Sequence, residues 1–204
     1  MGDTERFLAV HALKVKGLAS AEDLAEVTGR TDLAPVLEEL TGEELVKLRT
    51  GRIGGYALTK TGREAHPALL AAAVTDEERA GVAKTYEAFL PVNGRFKQIC
   101  TRWQMRDGGS EPNDHSDADY DARVVDELAK AHKEVVEALA PAADVSARFG
   151  WYPVRFEAAL ERVRGGDVAA FARPMSNSYH DVWMELHEDL MLTLGRERDA
   201  ADGH

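Results

Sequence analysis

Residues 18–66 read LASAEDLAEVTGRTDLAPVLEELTGEELVKLRTGRIGGYALTKTGREAH, and a change of period inside this stretch decides the fold. Ser20 is an N-cap residue, with Asp23 three positions on in the place of a capping-box acid. The helix it starts, AEDLAEV, buries Leu24 and Val27 and stops at Thr28-Gly29. From about Asp32 a further helix places Leu33, Val36, Leu37 and Leu40 at i, i+3, i+4 and i+7, one narrow apolar stripe. The period then changes. Leu45–Leu48 and Tyr56–Thr59 are short extended segments around RTGRIGG, whose three glycines permit a tight turn. Upstream, residues 5–16 (ERFLAVHALKVK) form a helix with Phe7, Leu8, Val10, Leu13 and Val15 on a broad apolar face, and Gly17 ends it. Three helices followed by a β-hairpin make a winged helix-turn-helix.

The run from Leu18 to Val46, the glycine wing and the close YALTKTGREAH resemble the winged-helix module of MarR-type bacterial regulators. In that family the return strand of the wing ends as Leu, Thr, two residues, Gly, Arg, which here are Leu58, Thr59, Gly62 and Arg63. The resemblance covers about sixty residues and implies DNA binding. The segments FLPVNGRFKQICTRWQMR, NDHSDADYDARVVDELAKAH and SYHDVWMELHEDLMLTLGRER resemble a helical module associated with bacterial phosphoenolpyruvate-utilising dikinase-like proteins. That module brings no catalytic residue with it.

Bulk properties narrow the classes. The chain has 204 residues and a net charge of −11, too acidic for a protein that coats nucleic acid without specificity. The charge is uneven: residues 1–66 carry 9 Lys/Arg against 11 Asp/Glu, and the remainder 16 against 25. Any nucleic-acid contact is therefore expected in the first third. No apolar run reaches the roughly 18 residues of a membrane span. The start MGDTERFLAV lacks the features of a signal peptide, and the one cysteine, Cys100, allows no internal disulfide. These features imply a cytoplasmic protein without membrane contact.

Beyond residue 66 the pattern is helical. Thr75-Asp76-Glu77-Glu78 starts a helix that Pro91 is expected to break or kink, after which Phe96, Ile99, Cys100 and Trp103 resume the stripe. Residues 107–117 (DGGSEPNDHSD) read as a loop. Further helices follow with Tyr120, Val124, Leu128, Val135 and Leu139 on one face, over 151–164, and from about Ser178 to Gly195. The expected organisation is a winged helix over 1–66, connecting helices over 67–104, and an all-helical bundle without strands over 105–204 that dimerises or binds a ligand.

Between Val46 and Arg63 lie five basic residues and no acid. Arg30, Thr31, Lys47, Arg49 and Arg52 are the candidate DNA contacts, with Arg52 at the hairpin tip. The third helix is less suited, since Asp32, Glu38, Glu39, Glu43 and Glu44 surround it and would repel phosphate. In the bundle, Trp103, His115, Tyr152, Arg155, His180, Trp183 and His187 are candidates for a pocket taking an aromatic or anionic effector. Asn113–Asp117 is either a polar binding loop or an N-cap cluster for the helix near Asp119. His180 and His187 are two turns apart, about 10 Å, too far for one metal ion to take both readily. No phosphate loop, nucleophile elbow or HExxH is present, so neither an enzyme nor a cofactor is expected. The function implied is a ligand-responsive transcriptional regulator, homodimeric on double-stranded DNA. The alternative is an interaction module that docks on a metabolic enzyme through its acidic helices.

Overall fold

The computed structural model of the chain describes residues 2–30, 32–51 and 54–196. The fold is mainly helical with a small antiparallel hairpin. The chain divides into two compact units, residues 1–80 with 187–204, and residues 81–186. These boundaries differ from those expected at 66 and 104. The reason is that the last helix is shared: its final turns count with the first unit, which periodicity alone does not reveal.

In the first unit, helix α1 (Asp3–Lys16) stops at Gly17, whose φ of 77° lies in the left-handed region that favours glycine. Helix α2 (Ala21–Thr28) carries the expected capping box, with Ser20 Oγ accepting from the Asp23 N–H and Asp23 accepting from the Ser20 N–H. Helix α3 (Ala34–Gly42) buries Val36, Leu37 and Leu40, with Leu33 buried just ahead of it. Strands β1 (Val46–Arg49) and β2 (Gly55–Leu58) pair antiparallel, with Val46 opposite Leu58 and Lys47 opposite Ala57. Ala19 adds a single bridge to Tyr56 on the other side of β2. The core gathers Val10 and Leu13 from α1, Leu24 from α2, Leu37 and Leu40 from α3, and Val46 and Leu58 from the hairpin.

The hairpin closes into helix α4 (Lys60–Ala73) through contacts that explain the Leu-Thr-x-x-Gly-Arg pattern. Thr59 Oγ1 accepts from the Gly62 N–H, capping α4, and donates to the Glu44 carbonyl at 2.6 Å. Arg63 donates back to the Leu58 carbonyl at 3.0 Å. Gly62 is required by space, since a Cβ there would lie 2.0 Å from the Leu45 carbonyl oxygen.

The second unit contains most of helix α5 (Asp76–Gln104), α6 (Ala118–Ala143), α7 (Trp151–Arg164), the short α8 (Ala169–Ala172) and the first turns of α9 (Tyr179–Leu194). One expectation is narrowed here, from a break or kink to no break, and one is corrected. α5 runs through Pro91 as one helix. The residue is exposed, and the buried stripe of Val82, Phe89, Val92, Phe96, Ile99 and Trp103 continues across it. That packing offsets the roughly 3 kcal/mol that an interior proline costs. The unit is also not strand-free: β3 (Met105–Arg106) pairs with β4 (Glu111–Pro112), two residues each, across the expected loop. Its core is aromatic. Trp183 stacks on Phe96 at 4.0 Å and donates its indole N–H to Asn93, while Trp103 stacks on Phe171 at 4.3 Å.

Candidate nucleic-acid interface

On β1, side chains alternate between the two faces of the hairpin. Lys47 and Arg49 share a face with Ala57, whereas Leu48, more than half exposed, lies on the face of Tyr56. The first face forms one wall of a cleft of about 240 Å³. Leu13, Lys14 and Gly17 from the end of α1 and Arg63 from the start of α4 complete it, with Ala57 and Leu58. Among the described residues, four cationic side chains and no acid line this cleft. Sequence reasoning found Lys47 and Arg49 but missed Lys14, because only the tertiary fold brings α1 to the hairpin. Thr31 and Arg52 lie outside the described residues.

The acids of α3 are partly engaged within the unit. Arg6 forms a bidentate hydrogen-bonded pair with Glu43 and approaches Glu39 at 3.9 Å. The hydrogen bond from Arg6 holds the Glu43 carboxyl below the usual carboxylate range. Arg30, expected to face DNA, lies 3.8 Å from Glu5 in an exposed pair that costs little to open. Glu38 remains exposed on α3.

A polar chain runs through the otherwise apolar interior of the first unit. His11 Nδ1 lies 2.9 Å from His66 Nε2, and His11 Nε2 lies 2.9 Å from Asp189 Oδ1. All three are 2% exposed, and Thr193 also donates to Asp189. Buried polar groups survive by being hydrogen-bonded, and here the bonds tie α1, α4 and the last turns of α9 together. Sequence reasoning passed over these residues. Their signal was a polar residue inside an apolar stripe, as with His11 between Val10 and Leu13.

Most of the residues expected to form an effector pocket are engaged in ring packing, hydrogen bonds or an ion pair. Trp103 packs on Phe171 and on the ring of His115, and His115 is hydrogen-bonded to Asp121 at 3.0 Å. Trp183 belongs to the Phe89–Phe96–Phe156 cluster. Arg155, expected to meet an anion, is buried in an ion pair with Glu185 at 2.7 Å beside Tyr152. His180 packs near Phe96, and burial lowers its pKa. His187 counts with the first unit. The Asn113–Asp117 segment is a capping cluster: Asp117 accepts from the Tyr120 N–H to start α6, and Asp114 accepts from the Ser116 N–H and hydroxyl. Among the described residues, no three His, Cys, Asp or Glu side chains are grouped to hold a metal ion, and no helix is long and apolar enough to cross a membrane. Burial pushes the Cys100 thiol up to about 12, which removes it as a nucleophile at neutral pH.

No family model, curated protein or solved structure matches this chain.

Proposed function

We propose that this protein is a DNA-binding transcriptional regulator of MarR type that contacts the duplex chiefly through its hairpin. The observation that carries the reading is the cationic hairpin segment, free of acids from Val46 to Arg63, set behind a three-helix winged-helix core. Phosphate contact supplies most of the affinity of such proteins, and this segment is the place in the first unit suited to supply it. The engagement of Glu43 by Arg6 lowers the repulsion that α3 presents to phosphate. The reading carries with it a cytoplasmic homodimer on a two-fold operator, responsive to a ligand that favours one arrangement of the winged helices.

The test is binding to the DNA upstream of the protein's own coding region at several salt concentrations. The double variant Arg49→Ala/Arg52→Ala is expected to bind more weakly. Its salt dependence should also be shallower, each lost phosphate contact lowering the logarithmic slope by about 0.9. An unchanged slope would show that the hairpin is not the contact.

A second reading, a module docking on a metabolic enzyme, is favoured by the exposed acids of α3, Glu38 and Glu39. Absence of specific DNA binding by the unmodified protein at low salt selects it.

A further inference from the structure

We propose that the cleft between the end of α1 and the hairpin is a binding site for a small organic phosphate monoester. The proposal does not depend on DNA binding. It rests on the composition of the cleft: Lys14, Lys47, Arg49 and Arg63 come from three separate elements, and among the described residues no acid joins them. Among the described residues none of the four stands in an ion pair, although ion pairs are frequent elsewhere on the surface of this acidic protein. Like charges around one small volume repel, and an anion within it relieves that repulsion. The carbonyl end of α1 at Gly17 opposes an anion with roughly half a negative charge, against four positive ones. The balance favours a dianion over a carboxylate.

The base of the cleft selects further. Leu13 and Ala57 also reach its lining, so apolar atoms stand beside the cations. A ligand with a charged head and a compact apolar body uses both, the head by charge-assisted hydrogen bonds and the body by burial. Arg63 is held for this, since its Nη1 donates to the Leu58 carbonyl. A duplex backbone carries phosphate of the same chemistry. It is too broad to enter a volume of about 240 Å³ and has no apolar group to place against the base.

The experiment is calorimetric titration of the full chain with phenyl phosphate and with inorganic phosphate, with and without a short DNA duplex. Saturable single-site binding is expected, tighter for phenyl phosphate than for inorganic phosphate and weakening as salt rises. Lys14→Gln/Lys47→Gln should reduce phenyl phosphate affinity at least about tenfold, as loss of charge-assisted hydrogen bonds does. Lys47→Arg should retain it. Lys47 is exposed, so the single variant Lys47→Gln gives the same reading should the double variant fold poorly. No saturable binding of phenyl phosphate at millimolar concentration overturns the proposal. So does equal affinity for the two probes, because the apolar base then contributes nothing. Competition between the duplex and phenyl phosphate supports the proposal, since Lys47 and Arg49 serve both ligands. If the protein binds no duplex, the phenyl phosphate titration and its variants decide the matter alone, and only the DNA reading fails.

Discussion

A Cβ on Gly62 would meet the Leu45 carbonyl far inside contact distance, and because that atom is backbone it has little room to yield. Gly62→Ala is therefore expected to destabilise the first unit by about 2 kcal/mol or more, as overpacking does, read as a lower denaturation midpoint. Arg155 invites a test that separates structure from ligand binding. Its partner Glu185 is buried with it, so Arg155→Ala leaves a buried carboxylate without this ion pair and should cost about 3–5 kcal/mol. A variant of wild-type stability would free Arg155 for a ligand role. Two histidines of the second unit set a pH dependence. Burial lowers the pKa of both His132 and His180 below the ordinary 6.5. Each is thus more readily protonated in the unfolded chain. The stability present above pH 6.5 is expected to decline as pH falls through the depressed folded values, with the unfolded state taking up the protons. His180→Phe should flatten that decline in a series of thermal melts.

Elements in this chain are started by a recurring device. Ser20 with Asp23, Thr75 with Glu78 and Ser178 with Asp181 each exchange side chain and backbone hydrogen bonds at a helix start. The first two were evident in sequence as a capping residue ahead of acids. What holds the elements to one another is less local. The His66–His11–Asp189 chain joins three helices whose residues are up to 178 positions apart. Asp189→Ala removes the acceptor of the His11 ring and should cost about 1–3 kcal/mol, the penalty of a buried donor left unpaired. Asp189→Asn, which keeps an acceptor oxygen, should cost less. Equal losses in the two variants would show that packing, not the hydrogen bond, is what Asp189 supplies.

For the whole molecule, folding is expected to need no metal: a chelator should leave the thermal midpoint unchanged, since a structural metal would contribute several kcal/mol. A fall reversed by zinc would overturn this. The helices, their caps and the hairpin were legible because they are local: a 3.6-residue stripe, a capping pair or a glycine turn acts within a few residues of itself. The positive hairpin was legible for the same reason, as five cations in succession without an acid. The cleft was not, since Lys14 enters it only when α1 packs beside the hairpin. Nor was the pairing of Arg155 with Glu185, thirty residues away, which turned a candidate anion contact into an interior ion pair. The sequence by itself determined the main helices, the first hairpin and where their charge lies, because those follow from neighbouring residues. Tertiary structure alone decided which polar side chains are spent on one another and which face open space, because burial and pairing are set by contacts between segments that the chain keeps far apart.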